Sequence, residues 1–288
     1  MAASSQDGIF CRDVNKSFRK RNILHGVRFS LNHGVTVLAG ENGSGKSTLF
    51  YILSGIIKPD SGSVSIFGLD PWHSHEASMR EVSFMLERPS VLGSTSIREH
   101  IYWFSAIKGA PSESIKDYMH LFGVEYTMSS SFQSLSMGEV QLVMLSCYLS
   151  CDTPIFMLDE PNSNIDVHKR SLISEAIRDK SKSSNSLFLI STHVFDELLN
   201  TADKVLILKN GQMGETDQAS ARRTSILRSS DNNALMAQLQ AEFGDTSISG
   251  GAIFTSASIE QCVKVASEIG ITVFSYFSIP SELRSVYE

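Results

Sequence analysis

Residues 40–48, Gly-Glu-Asn-Gly-Ser-Gly-Lys-Ser-Thr, have the types and spacing needed to hold a chain of phosphates. They fit the pattern G-x-x-x-x-G-K-[S/T], in which glycines let backbone N–H groups surround an anion. A helix that starts near the lysine adds the positive end of its dipole. The candidate phosphate-binding residues are Gly40, Asn42, Gly43, Ser44, Gly45, Lys46, Ser47 and Thr48. The loop therefore predicts a site for a polyanion.

Four side chains could supply the chemistry at this loop. Lys46 is expected to lie against the β- and γ-phosphates, and the Ser47 hydroxyl to ligate Mg²⁺. Asp159 ends the apolar run 155–158 and is expected to hold Mg²⁺ through water, although alone it would be interpreted as a solvated turn residue. Glu160 follows it and is the candidate general base that orients an attacking water.

The elements around these residues alternate between strand and helix patterns. The apolar run 35–40 predicts a buried parallel strand, and residues 47–57 have the apolar spacing of a helix. Buried strands are predicted again at 154–161 and 186–192, separated by a helix. This alternation favours an α/β fold with a mainly parallel, doubly wound sheet, which binds ligands at the carboxyl ends of its strands.

Composition shifts divide the chain into three parts. We predict an ATPase-type domain at 1–214 that begins with short antiparallel strands and contains a helical subdomain at about 90–151. Ser, Arg, Asp and Asn dominate after Gly214, which indicates a linker at 215–223. Residues 224–288 alternate strand and helix patterns and predict a small C-terminal α/β extension.

Composition excludes several classes of protein. Of the 288 residues, 42% are hydrophobic and 19% charged, which is typical of a packed globular chain. A net charge of -6 gives no global attraction to nucleic acid. The sequence shows no long apolar window and no signal-peptide pattern, so we expect a cytosolic chain. Cys11, Cys147, Cys151 and Cys262 lack paired metal-ligand spacing and are expected to be reduced and mostly buried.

Several motifs, in order, resemble the ATP-binding subunits of ABC transporters over roughly residues 8–214. Residues 135–139, Leu-Ser-Met-Gly-Glu, are similar to the LSGGQ signature and stand shortly before the run 156–161. Residues 163–166 look like the D-loop, which ends at Asp166, and His193 matches the switch histidine that contacts the γ-phosphate. Phe18 falls where the family has an aromatic that stacks on adenine. The resemblance implies a P-loop NTPase fold.

The resemblance also implies cofactors and partners. ATP and Mg²⁺ are the expected cofactors, and Glu87, at the family's Q-loop position, is an expected nucleotide and metal contact. Ser136 and the N–H groups around Gly138 form a second anion site, which in the family closes on the nucleotide of a second, head-to-tail subunit. Hydrolysis then drives a separate transmembrane permease, and the chain is peripheral on the cytoplasmic face of the membrane.

Glu87, Met137 and Leu142 are among the positions that depart from the family pattern. Glu87 replaces the glutamine and cannot donate a hydrogen bond when it is ionised. Met137 replaces the first signature glycine, and Leu142 stands where many relatives have arginine. With Lys46 and Asp159 intact, we expect real but slow ATPase activity.

The direction of transport and the class of protein stay open at this point. The tail 278–288 is similar to the tails of exporters of drugs, peptides or antibiotics, which favours export. The alternative is a soluble ABC ATPase of assembly or repair, such as iron-sulfur assembly. A scaffold without catalysis conflicts with Lys46, Asp159, Glu160 and His193. Of the aromatic run 102–104, which could line a permease groove, we expect two residues in the core.

Overall fold

The computed structural model describes residues 8–19, 21–88, 94–192, 197–217, 223–281 and 284. Its strands are β1 (Ile9–Phe18), β2 (Arg21–Leu31), β3 (Gly34–Ala39), β4 (Ser61–Ile66), β5 (Val82–Met85), β6 (Ile155–Asp159), β7 (Leu187–Thr192), β8 (Lys204–Lys209), β9 (Gln212–Asp217), β10 (Arg223–Ser229), β11 (Thr246–Ser249), β12 (Ala252–Thr255) and β13 (Val273–Pro280). Its α-helices are α1 (Lys46–Leu53), α2 (His75–Arg80), α3 (Ile97–Lys108), α4 (Ser112–Leu121), α5 (Met137–Leu149), α6 (Val167–Ser184), α7 (Glu197–Thr201), α8 (Asn232–Phe243) and α9 (Ile259–Glu268).

The central sheet has six strands in the order β5-β6-β7-β3-β8-β9. β5, β6, β7, β3 and β8 run parallel, and β9 pairs antiparallel with β8 at one edge. Every residue of β6 and β7 is buried, because helices or a second sheet cover both faces. The sequence prediction of a mainly parallel sheet is therefore confirmed.

The N-terminal strands form a separate antiparallel sheet in the order β2-β1-β4. Its apolar side chains join those of α1 and of one face of the central sheet in a single buried cluster. Four residues of α1 are buried there, namely Leu49, Phe50, Ile52 and Leu53. Helix α1 is thus fixed between two sheets, and its first turn is held at the end of β3.

The opposite face of the central sheet carries the helical subdomain. Core residues of α3, α4, α5 and α6 join Phe156 of β6 and Phe188 of β7 in the largest apolar cluster. The rings of Phe156 and Phe188 stack with centroids 4.5 Å apart. Helix α5 is buried from Gln141 to Cys147, a stretch that includes Leu142 at the position of the family's arginine.

The aromatic run on α3 corrects one expectation, since only Phe104 lies in the core. Tyr102 is 65% exposed and Trp103 is 59% exposed, and their rings meet edge to face. Ile97, Ile101 and Phe104 repeat at helical spacing toward the core, so that positions 102 and 103 fall on the other side of the helix. Two of the three aromatic side chains are therefore at the surface.

The C-terminal residues form an antiparallel sheet, in the order β11-β12-β10-β13, with two helices. Leu227 and Ile253 face α8 and α9, whereas Ile226 and Phe254 belong to the main core cluster. That cluster also holds buried residues of α7. One face of the extension is thus continuous with the core of the larger domain. Strand β9 ends at Asp217 and β10 begins at Arg223, so both ends of the expected linker lie in strands.

The four cysteines are free and buried, in agreement with the sequence analysis. Burial, and less strongly the charge of Asp13, raises the pKa of Cys11 to about 12. Within the described residues, no helix combines the length and apolar character needed to cross a bilayer.

Candidate functional site

The phosphate-type loop connects the end of β3 to the first turn of α1. Gly45 adopts φ of 110° immediately before the helix, a conformation that residues with a Cβ rarely adopt. A Cβ on Gly40 would lie 2.4 Å from the carbonyl oxygen of Leu208. The glycines therefore allow both the turn itself and its close approach to β8.

Lys46 is buried, with only 6% of its surface exposed. Its Nζ donates to the carbonyl oxygens of Gly40, at 2.7 Å, and Glu41, at 3.3 Å, and lies 3.7 Å from Oε1 of Glu160. Burial lowers the pKa of Lys46, and the nearby charges of Glu160 and Asp159 oppose that shift. The loop thus holds the Lys46 ammonium in place, and the ammonium supplies a positive charge for binding an anion in the loop.

Asp159 is buried at the carboxyl end of β6. Its carboxylate accepts hydrogen bonds from the hydroxyls of Ser191 and Ser47. Burial raises the pKa of Asp159, and these two hydrogen bonds oppose the shift. The structure therefore brings together Ser47 and Asp159, the two oxygen donors that the sequence analysis assigned to a metal.

Glu160 is buried and follows β6 in a left-handed conformation, with φ of 52°. Its backbone N–H donates to the hydroxyl and the carbonyl oxygen of Ser191, at 3.0 and 3.2 Å. The side chain lines the same cavity as Lys46. The candidate base is thus held beside the candidate phosphate-binding lysine.

The cavity at this point has a volume of about 520 Å³. It is lined by Arg21, Ile23, Asn42, Gly43, Gly45, Lys46, Ser47, Thr48, Glu87 and Glu160. Glu87 is exposed just beyond β5, and its charge acts on both Lys46 and Asp159. The loop and the acidic edge of the sheet therefore share one polar cavity.

The donor set at this edge suits a hard cation that keeps other ligands. Ser47 and Asp159 offer oxygen atoms, which Mg²⁺ prefers. No three His, Cys, Asp or Glu side chains converge on a metal position in the part of the chain that the structure describes. A metal held here would therefore take its remaining ligands from phosphate and water.

The signature residues open helix α5. The Ser136 hydroxyl accepts from the backbone N–H of Glu139 at 3.3 Å, and Oε2 of Glu139 accepts from the Ser136 N–H at 2.7 Å and hydroxyl at 2.6 Å. Tyr126 donates its hydroxyl to the same carboxylate. Hydrogen bonds from Ser136 and Tyr126 lower the pKa of Glu139 to about 2. A fixed negative charge thus caps the helix start where the sequence analysis expected an anion to bind.

Gly138 is required by a contact that the sequence did not indicate. A Cβ at this position would lie 2.7 Å from the backbone oxygen of Asn164. That oxygen belongs to the 163–166 segment, whose place is fixed by Asp166 as the N-cap of α6. The signature helix therefore rests directly on the D-loop-like segment of the same chain.

We expect Gly138→Ala to lower the free energy of unfolding by about 1–3 kcal/mol, the usual cost of overpacking, because a backbone oxygen cannot move aside as a side chain can. Urea denaturation of the purified chain measures this change. The matched control is Gly214→Ala, where the added Cβ would have its nearest neighbours at 3.9 Å. Equal stability of the two variants would contradict the close contact.

The remaining predicted site residues are placed as follows. Asp166 is exposed, and its carboxylate accepts from the backbone N–H of Lys169 at 3.0 Å. The Phe18 ring is 45% exposed at the end of β1, with the Lys16 ammonium 5.3 Å from its centroid, and it does not line the described cavity. His193 lies outside the described residues.

Sequence reasoning missed three side chains that shape the site. Ser191 binds both Asp159 and Glu160, and Gln141 donates to the carbonyl oxygens of Glu160 and Pro161. Tyr126 holds the carboxylate of Glu139. A lone glutamine in an apolar helix is a detectable signal, and Ser191 falls in the predicted buried strand 186–192, but nothing in the local sequence indicates the partners of Ser191 or of Tyr126.

Comparison with known proteins agrees with this geometry. Residues 24–163 match the family described as ABC transporter. A phosphate import ATP-binding protein of Natronomonas pharaonis is 27% identical over 228 residues, covering 73% of this chain and 80% of that protein. A ribose import ATP-binding protein of Bacillus subtilis is 27% identical over 220 residues, and the match spans 73% of this chain but only 44% of that longer protein.

A solved structure, described as the ATP-binding subunit of an ABC transporter, has the same fold. It superposes with a TM-score of 0.67 at 22% identity and covers 90% of this chain and 99% of its own. The phosphate-binding loop, the acidic strand end and the capped signature helix occur in the order and fold of that family. The relatives are described as ATP-binding proteins of transporters, and this chain is therefore similar, over residues 24–163, to the ABC transporter family, which binds ATP and hydrolyses it to power transport.

Proposed function

We propose that this chain hydrolyses ATP as one half of a head-to-tail dimer and drives a separate transmembrane permease. The main support for this proposal is that the P-loop, Glu87 and Glu160 line one cavity. None of the described signature residues of the same chain lines that cavity. A second anion site on α5 has its function only if another chain supplies the nucleotide that it contacts. In a dimer of two identical chains related by a two-fold axis, the signature of each chain can contact the nucleotide bound in the cavity of the other.

The proposed cofactors are ATP and Mg²⁺. Lys46 and the loop N–H groups bind the phosphates, while Ser47, Asp159 and Glu87 hold the metal directly or through water. When bound, Mg²⁺ would neutralise charge on the phosphates. Glu160 accepts a proton from the attacking water, and its position 3.7 Å from Nζ of Lys46 supports that role. In the same proposal Ser136, Gly138 and Asp166 contact the nucleotide from the partner side, Phe18 stacks on adenine, and His193 contacts the γ-phosphate.

The permease is proposed to dock beside α3. Three large apolar side chains on this helix are more than half exposed, namely Tyr102, Trp103 and Ile107. Clustered apolar side chains at a surface are typical of protein–protein contact sites. Docking there would place the chain on the cytoplasmic face of the membrane. The proposed contact surface, named here the α3 patch, consists of these three residues.

Affinity purification of the tagged chain from detergent-solubilised membranes tests the function. We expect a multispanning protein to co-purify with the wild-type chain, and to be reduced for Trp103→Ser but retained for a control such as Lys182→Ser, exposed on α6. A complex that contains only soluble proteins would contradict the permease and support the assembly or repair class.

We further propose that transport is export of a drug, peptide or antibiotic, on the likeness of the tail 278–288. The two relatives named above are described as import proteins, at 27% identity. Strand β13 holds Ser278–Pro280 in the sheet of the extension, and residues 282, 283 and 285–288 lie outside the described residues. Inverted membrane vesicles decide the direction, because ATP-dependent accumulation inside them corresponds to export and ATP-dependent loss to import.

The capped signature helix gives a prediction about dimer formation. Glu139→Gln keeps an acceptor for the Ser136 N–H but removes the negative charge that an incoming γ-phosphate would meet. Two unit charges some 4 Å apart repel by about 1 kcal/mol when water screens them fully, so the ATP concentration for half-maximal dimer formation should fall at least about fivefold. Analytical ultracentrifugation measures this shift. Unchanged or weaker dimer formation would contradict the placement of phosphate at Ser136.

A further inference from the structure

The backbone of Glu160 is in a conformation that needs support from outside. Its φ of 52° is unfavourable for a residue with a Cβ and persists only where surrounding contacts determine it. On one side, the N–H is fixed by Ser191 of β7. The other side of the residue, its carbonyl group, needs an equivalent restraint.

Gln141 supplies that restraint from the signature helix. Its Nε2 donates to the carbonyl oxygen of Glu160 at 3.2 Å and to that of Pro161 at 3.4 Å. The Ser163 N–H donates to the same Glu160 oxygen at 3.1 Å, so the turn also supports itself locally. Gln141 therefore ties the carbonyl side of the turn to helix α5.

The burial of Gln141 argues against an incidental contact. It is only 3% exposed, and the next four residues of α5, Leu142 to Leu145, are all buried and apolar. Placing an amide in such surroundings is unfavourable unless its hydrogen bonds are made. A leucine at this position would avoid that cost but would leave the two carbonyl groups without this donor.

We propose that Gln141 is a positioning residue that fixes the backbone of Glu160 and thereby the direction of its carboxylate. Gln141 lies five residues after Ser136 on the same helix, so any movement of α5 when the signature engages nucleotide is passed to Glu160. The arrangement thus links the signature of one chain to the proposed base of that same chain. This inference rests on the proposed role of Glu160 as the base.

The test compares steady-state ATP hydrolysis by the full chain and its variants. Gln141→Leu removes the donor at similar volume, and Gln141→Glu keeps a polar group that cannot donate when ionised. We expect kcat to fall about 10- to 100-fold in both, the effect of misplacing a catalytic group by about 1 Å. KM for ATP and the ATP Kd should change less than about threefold, since Lys46 and the P-loop are untouched.

Two controls separate positioning from general damage. Ser146→Ala removes a buried hydroxyl of α5 whose hydrogen bond stays within the helix, and it should leave kcat unchanged. Adding Gln141→Leu to Glu160→Gln should lower kcat no further than Glu160→Gln alone, because both act through one group. The melting temperature and ATP Kd of each variant show whether it is folded.

The outcomes distinguish the two proposals. A normal kcat in Gln141→Leu or Gln141→Glu, with Glu160→Gln inactive, overturns the positioning role alone. Normal hydrolysis by Glu160→Gln overturns the base assignment on which it rests. A parallel rise in KM and fall in kcat, or additive losses in the double variant, would show a merely structural effect and also overturn the inference.

Discussion

Glu160→Gln is expected to reduce ATP turnover by about 10²- to 10⁴-fold, the range for loss of a general base. The amide keeps the size of the side chain but cannot accept the proton of the attacking water. Lys46 and the P-loop remain, so ATP binding should persist. With Mg-ATP the variant is then expected to stay closed and to elute in gel filtration as a dimer of two 31.7 kDa chains.

The control for this variant is Glu41→Gln, an exposed glutamate in the P-loop itself. That change alters charge near the phosphates but leaves the proposed base in place, so its turnover should stay close to that of the wild type. Normal hydrolysis by Glu160→Gln would refute the role of Glu160. If Glu160→Gln is inactive but stays monomeric with Mg-ATP, the assignment of Glu160 as the base stands and the ATP-closed dimer is contradicted.

Lys46→Met is expected to weaken ATP binding by about 100-fold, because two charge-assisted hydrogen bonds to phosphate are worth roughly 1.5–3 kcal/mol each before reorganisation. Methionine retains much of the buried stem, so the loss comes from the charge and not from the packing. Isothermal titration calorimetry with Mg-ATP measures the change. The exposed Lys58→Met, near the end of α1, is the matched control and should bind ATP normally.

The pH dependence of binding follows from the same lysine. Burial lowers the pKa of Lys46, so its charge is lost at a lower pH than that of an exposed lysine. Lys46 therefore binds its proton more weakly in the folded state than in the unfolded state. As the pH rises through the lowered pKa of Lys46 in the ATP-free protein, the charge is lost and the affinity for ATP should decline. A decline that also occurs in Lys46→Met would assign the effect to another group.

Much of the nucleotide site could be predicted from local sequence. The P-loop is contiguous, and its glycines and the start of α1 are set by neighbouring residues, so residues 40–48 suffice to predict it. The apolar runs that became β3, β6 and β7 were equally clear, because a strand covered on both faces needs almost uniform hydrophobicity. Asp159 was then located by its place at the end of such a run.

Predictions about surfaces and contacts between elements were less successful. Two of the three aromatic residues 102–104 were expected in the core, but only Phe104 is buried, since hydrophobicity alone does not say which side of α3 faces the sheet. Glu139 was known only as the last residue of the signature-like motif 135–139, and its hydrogen bond with Tyr126 joins residues 13 positions apart. The docking of the extension through Ile226 and Phe254 likewise depends on how two sheets pack.

The sequence by itself determined the phosphate loop, the acidic end of β6, the alternation of strands and helices, and the resemblance to a family. These features arise from residues adjacent in the chain, whose spacing is enough to specify their backbone. Only the tertiary structure decided how Glu160 is held, with Ser191 on its N–H and Gln141 on its carbonyl oxygen. Those partners lie 31 and 19 residues away. Hydrogen bonds over such separations are fixed by the packing of β7 and α5 against β6, which no local pattern records.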